Sequence, residues 1–160
     1  ARPICGFQNP EDLALLPDGH TLLVSEYGAV EGGRAGQLAL FEVASEKRTI
    51  LFRGGDATGT EEDWGDAACP GPPSKEFSPH GIHFAKRADG RLQLLVVQHA
   101  GRESVEFFEL TQAQRSWQIA WRGCAVSPEG SWLNDVVALP AGGFLVTHML
   151  PKGNFEAKAA

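Results

Sequence analysis

No stretch of this 160-residue chain approaches the ~20 consecutive apolar residues needed to span a bilayer, and no cluster of Lys and Arg stands anywhere along it. With 14 Lys and Arg against 20 Asp and Glu, a net charge of −6 offers no electrostatic footprint for a phosphate backbone, so nucleic acid is not an expected partner. A nucleophile elbow of the G-x-S-x-G type is missing, and Ser25, Ser104 and Ser131 lie in ordinary strand or turn contexts. No H-E-x-x-H helix is present for zinc. Gly54-Gly55-Asp56-Ala57-Thr58-Gly59 lacks the Lys and the following helix that a phosphate-binding loop requires. Cysteine is scarce, and the count of three (Cys5, Cys69, Cys124) is odd, so at least one thiol has no partner within the chain. Buried small hydrophobes and a disulfide are equally good readings of these residues. The start, Ala1-Arg2-Pro3-Ile4-Cys5, has neither an initiator Met nor a signal-peptide apolar region. A periplasmic or secreted location reached through a cleaved signal is favoured.

What is present is a pattern written three times: a polar doublet, an apolar strand, a tight turn and a second apolar strand closing on a polar residue. It runs through Glu11-Asp12, Leu13 to Leu16, Asp18-Gly19 and Leu22 to Glu26. It returns as His80-Gly81, Ile82 to Ala85, Asp89-Gly90 and Leu94 to His99, and again as Asn134-Asp135, Val136 to Leu139, Gly142-Gly143 and Phe144 to His148. The first two copies continue into two more strands each, Gln37 to Val43 with Arg48 to Phe52, and Val105 to Leu110 with Trp117 to Trp121. Four-stranded units repeated at this scale predict an all-β fold, a β-propeller. Blade one covers about 10–53, blade two about 79–127, and a third begins over 132–150. Because a propeller closes with about 4 to 8 blades, two and a half blades read as the N-terminal portion of a larger ring. Phe41, Phe107, Phe108, Trp117 and Trp121 alternate within outer strands and read as inter-blade core.

Between the first two units lies an irregular stretch over 54–78 that carries Asp56, Glu61, Glu62, Asp63 and Asp66. A solvated acidic loop is the favoured reading. A lid over the channel mouth, anchored by Trp64 and Phe77, is the alternative.

Doublets at the same place in successive blades converge on one axis, and adjacent residues of an extended chain point to opposite sides. Glu11-Asp12 and Asn134-Asp135 therefore suit two stacked cation sites. Their carboxylates and carboxamide are the hard oxygen donors that calcium takes in sets of 6 to 8. Of the five histidines, His80 begins a first strand and His99 ends a second, so the two can meet at the open end of one hairpin and tune each other for base work near neutral pH. His80 and His83, three apart, point to opposite faces of a regular strand and cannot chelate together. His83 packs or caps, His20 faces solvent, and for His148 a packing role and a site role are evenly matched. Arg102-Glu103-Ser104 reads as turn chemistry at a strand entry.

Pro10-Glu11-Asp12-Leu13, Ser78-Pro79-His80-Gly81-Ile82, Leu95-Val96-Val97-Gln98-His99, Ser104-Val105-Glu106-Phe107-Phe108 and Leu133-Asn134-Asp135-Val136-Val137-Ala138 resemble, in order, motifs of the serum paraoxonase/arylesterase family, which belongs with the senescence-marker-protein/gluconolactonase group of six-bladed calcium propellers. The resemblance spans about Cys5 to His148. It implies a calcium-dependent hydrolase of lactones and carboxylic esters, with a small-molecule substrate and two calcium ions in a central tunnel. By position, Glu11 and Asn134 resemble ligands of the upper, catalytic calcium. Asp12, Asp135 and the backbone carbonyl of Ile82 resemble those of the lower, structural calcium. His80 resembles the general base and His99 its partner, and Cys5 resembles a cysteine that pairs near the C-terminus to close the ring. Remaining catalytic calcium ligands belong to later blades, and Gln98 stands where the animal enzymes usually have Asn. A gluconolactonase-like or strictosidine-synthase-like enzyme, or a non-catalytic propeller binding module with structural calcium, are the competing readings.

Overall fold

A computed structural model describes residues 2–29, 33–56, 64–114 and 116–149. Its described residues contain ten strands and no helix. The chain is thus all-β, with every pairing antiparallel.

Strands β1 (Pro10–Leu15), β2 (Thr21–Glu26), β3 (Gln37–Glu42) and β4 (Lys47–Arg53) form a first four-stranded meander in sequence order. A second follows as β5 (Pro79–Lys86), β6 (Leu92–Gln98), β7 (Ser104–Ala113) and β8 (Ser116–Val126). Strands β9 (Leu133–Ala138) and β10 (Phe144–His148) make a third sheet of two strands. Each first hairpin closes through one kind of turn. In the first sheet the Gly19 N–H donates to the Leu16 carbonyl and Leu16 N–H to Thr21; the bonds recur at Arg87, Gly90 and Arg91 and at Leu139, Gly142 and Gly143. Gly19, Gly90 and Gly142 have φ of 75°, 87° and 92°, which a side chain would oppose.

The sheets stack face to face, and the alternation along each strand decides which face meets which neighbour. Leu23 and Leu38 from the first sheet pack with Leu94, Val96 and Phe108 from the second, joined by Phe52, Phe77, Trp117 and Trp121. The other face of the second sheet, through Leu95, Val97, Val105 and Phe107, packs on Leu133 and Val136 of the third. A sheet covered on both sides explains the unbroken apolar run Leu94 to Val97, which is entirely buried. Phe108, Trp117 and Trp121 therefore lie between the first two sheets and Phe107 between the second and third. Phe41 packs with Val24, Ala39 and Phe7 on the outer face of the first sheet. That outer face and the far side of the third sheet stay open, with Leu13, Leu15 and Leu145 58%, 57% and 61% exposed.

Within the expected loop, residues 64–69 strap the outer edge of the second sheet. The Trp64 and Asp66 N–H groups donate to the Arg122 and Cys124 carbonyls of β8, and a Cys69–Cys124 disulfide pins the same contact. Gly65 has no room for a side chain, since a Cβ there would lie 2.2 Å from the Cys124 carbonyl oxygen. Phe77 is fully buried between the sheets, while the Trp64 indole lies under the guanidinium groups of Arg87 and Arg91. The expected acidic residues Glu61, Glu62 and Asp63 lie outside the described residues. Cys5, expected from the family resemblance to pair near the C-terminus, is an exposed free thiol with no disulfide partner among the described residues.

Candidate functional site

The three first strands, β1, β5 and β9, lie side by side, β5 touching both of the others. Their polar doublets sit inside these strands, three residues earlier than the apolar pattern alone predicts for the strand starts. Each doublet occupies a β-bulge. Pro10 pairs with Glu26 but Asp12 with Ser25; Pro79 pairs with Gln98 but Ile82 with Val96; Leu133 pairs with His148 but Val136 with Val146. One extra residue in each first strand breaks the ladder there and re-aims the side chains at the strand's entry.

The first and third bulges are built alike. The Ser25 Oγ accepts the Asp12 N–H at 3.0 Å, and the Thr147 Oγ1 accepts the Asp135 N–H at 3.0 Å. A hydroxyl on the second strand thus satisfies the backbone group that the bulge strands. The Asp12 carboxylate accepts the Leu13 N–H at 2.7 Å through Oδ1, and through Oδ2 it crosses to the next sheet to accept the Ile82 N–H at 2.9 Å. The Asp135 Oδ1 accepts the Val136 N–H at 2.8 Å.

Between these carboxylates runs His80-Gly81-Ile82. A Cβ on Gly81 would stand 2.5 Å from the Asn134 carbonyl oxygen and 2.8 Å from the Asp135 Oδ1, so only glycine lets β9 approach this closely. The His80 Nδ1 lies 2.8 Å from the Asn134 carbonyl oxygen, which can only accept; Nδ1 therefore carries the proton. Its Nε2 faces the Glu11 Oε2 at 3.3 Å. Glu11, Asn134 and His80 are thus in one place, as are Asp12, Ile82 and Asp135 one step along the strands.

His99 lies one residue beyond β6 rather than at its end. Its N–H donates to the Ser78 carbonyl, just as Tyr27 N–H donates to Asn9 and Met149 N–H to Trp132. Tyr27, His99 and Met149 are therefore equivalent positions in the repeat. The His99 ring is buried and stands edge-on to His80 with centroids 5.1 Å apart, 5.7 Å from Tyr27 and 6.0 Å from Trp132. Burial raises the Tyr27 phenol above its ordinary value, and the Glu103 and Glu11 carboxylates push it the same way.

His83 departs from its expected direction. Both it and His80 reach β9, His83 accepting the Ala138 N–H at 3.1 Å through Nδ1, because the bulge between Pro79 and Ile82 breaks the parity of a regular strand. It caps a backbone group and takes no part in the cluster. His20 is exposed, its Nδ1 on the Asp18 carbonyl, and His148 is exposed as well. Sequence reasoning overlooked Tyr27 and read Glu103 as turn chemistry only, whereas its carboxylate meets His99 and Leu133; the signal for Tyr27 was the repeat itself, which makes it equivalent to His99 once the copies are aligned on their strand ends.

No family model matches the chain, and no curated protein shows significant similarity to it.

Whether calcium fits is a question of donors. Among the described residues, no three His, Cys, Asp or Glu side chains group closely enough to hold an ion by themselves. Every donor at the two positions is nevertheless a hard oxygen apart from His80, and calcium draws readily on carbonyl, carboxamide and water oxygens. Asp12 and Asp135 approach one glycine-centred segment from both sides, which is a fit in chemistry.

Proposed function

We propose that the three sheets are successive blades of a β-propeller of the paraoxonase/arylesterase kind, and that it hydrolyses lactones or carboxylic esters with the help of calcium. The observation that carries this reading is the convergence of three bulged strand entries on His80. The open apolar faces of the first and third sheets support the ring, since each is the kind of surface that a further blade covers. The Cys69–Cys124 disulfide favours a secreted or periplasmic protein.

Glu11 and Asn134 would hold a catalytic calcium, and Asp12, Asp135 and the Ile82 carbonyl a structural one, completed by oxygens from elsewhere in the ring. Such an ion supplies Lewis acidity toward a carbonyl oxygen. The chain's own residues supply the rest. The Asn134 carbonyl fixes the His80 Nδ1–H, so Nε2 is the nitrogen that exchanges a proton with an attacking water, with the Glu11 carboxylate as the other acceptor that proton can meet. Glu11 beside Nε2 compensates the positive charge that the ring gains. Burial of His99 and the packing of Tyr27 against both rings hold His80 in one orientation and thin the water around it.

Turnover of a simple lactone with calcium, and its loss on chelation and return on readdition, tests this reading. A protein that binds calcium but turns over no lactone or ester is instead a calcium-stabilised binding module. Hydrolysis indifferent to calcium removes the metal from the proposal.

A further inference from the structure

Glu103 stands four residues beyond His99, in the turn that enters β7, and its side chain is 9% exposed. One of its oxygens, Oε1, does two things. It accepts the His99 Nδ1–H at 2.8 Å, and it accepts the backbone N–H of Leu133 at 2.7 Å. The first bond fixes a ring on the second sheet. The second fixes the peptide immediately before Asn134-Asp135 on the third.

The consequence for His99 follows from hydrogen-bond inventory. A carboxylate oxygen can only accept, so in the neutral ring the proton sits on Nδ1 and the lone pair on Nε2. Nε2 is buried and has no hydrogen-bond partner among the described residues. Free imidazole side chains in water have no such fixed tautomer to inherit, and leaving a buried nitrogen without a partner is unfavourable. Something must therefore impose this arrangement, and the side chain in position to do so is Glu103. Aromatic rings cover His99 otherwise: His80, Tyr27 and Trp132.

We propose that Glu103 is a positioning residue for the cluster: it locks His99, whose ring stands against His80, as the Nδ1–H tautomer with the lone pair on Nε2, and through the same oxygen it ties that ring to the strand entry bearing Asn134 and Asp135. This rests on the hydrolase reading for its purpose, but not for its test. Glu103 touches no reacting atom. It sets the direction in which His99 presents its lone pair and holds the second and third sheets at the spacing the His80–Asn134 contact needs.

The test is the long-range ¹H–¹⁵N spectrum of histidine-labelled protein at a pH where His99 is neutral, with its signals assigned by their loss in His99→Gln. The expected wild-type spectrum shows a pyrrole-type Nδ1 and a pyridine-type Nε2 for His99. In Glu103→Ala that pattern shifts to the Nε2–H tautomer or to a mixture, and the Leu133 amide proton loses its hydrogen-bonded shift. Glu103→Gln, whose amide oxygen still accepts both protons, retains the wild-type pattern. A wild-type His99 already in the Nε2–H form overturns the proposal whether or not the variants fold, and so does an unchanged pattern in Glu103→Ala. Lactone turnover measured on the same samples separates the two ideas: a tautomer that responds to Glu103 in a protein without hydrolase activity keeps the positioning role and discards the hydrolase reading.

Discussion

The bulges of the first and third sheets and the bulge of the second are one backbone device carrying two chemistries. In the outer pair an Asp follows the extra residue, and a hydroxyl from the neighbouring strand, Ser25 or Thr147, absorbs the stranded N–H. In the middle, Val97 occupies the place of that hydroxyl, and His80-Gly81 takes the place of the acidic or carboxamide pair. Two arms deliver oxygen donors, and the centre delivers an imidazole and a gap. A repeat can thus hold its geometry constant while each copy contributes a different functional group, because the bulge fixes where a side chain goes and leaves open what it is.

The strongest way to break the comparison is to remove the central imidazole. In an active protein, His80→Gln should lower lactone hydrolysis by roughly 10² to 10⁴, the range for a lost general base, while thermal unfolding stays close to wild type. A rate within a factor of two of wild type would show that the middle bulge supplies no base. Gly81→Ala attacks the gap instead. Its methyl would meet the Asn134 carbonyl and Asp135, both held by the β9 backbone, so the third sheet must move and stability should fall by about 3 kcal/mol in denaturant titrations. An unaltered unfolding midpoint would mean that β9 does not approach His80-Gly81 as described.

The outer pair is sharpened by removing its hydroxyls. Ser25→Ala and Thr147→Ala should each cost about 1 kcal/mol, by leaving the Asp12 or Asp135 N–H without its acceptor. Valine at either position, matching Val97, should cost as much; no cost in either case would separate the outer bulges from the mechanism that makes them alike.

The smallest effect is acid sensitivity in the first sheet. Burial tends to raise the Glu26 carboxyl, but Arg48, Gln37 and the Gln8 N–H more than offset this and hold it below its ordinary 4.5. Asp18 is held below its ordinary 3.8 in the same way, against burial, by the His20 and Thr21 N–H groups and the Trp117 indole. Both pKa values fall on folding, so their contribution is fully present above these ordinary values and drains away as pH falls through the folded ones. Glu26→Gln and Asp18→Asn should flatten the loss of stability below about pH 4; an identical acid limb would contradict this.

Much of the sheet structure is legible in the sequence because alternation and turn glycines are local signals. Leu22 to Glu26 and Phe144 to His148 fall within a residue of β2 and β10. The bulges were not legible, since an extra residue shows only against a partner strand's register. For that reason Asp12 and Asp135 read as lying ahead of their strands, and His83 read as facing away from His80. Clustering of Glu11, Asn134 and His80 followed from the repeat alone. Glu103 did not, because a Glu between Arg102 and Ser104 is indistinguishable from ordinary turn chemistry until His99 and Leu133 are brought to it by separate strands. The choice among three cysteines likewise needed the strap that carries Cys69 to Cys124.

The most direct test of the account is calcium binding followed by isothermal titration calorimetry, with thermal unfolding recorded at each end point. The three converging bulges predict that wild type binds calcium and gains stability by about 2.7 kcal/mol at a hundredfold excess over Kd. Asp12→Asn with Asp135→Asn should abolish both the heat and the gain, while His80→Gln should keep the structural site. No calcium heat in wild type, or full binding in the double variant, would contradict the claim that these strand entries were assembled to hold a cation beside His80.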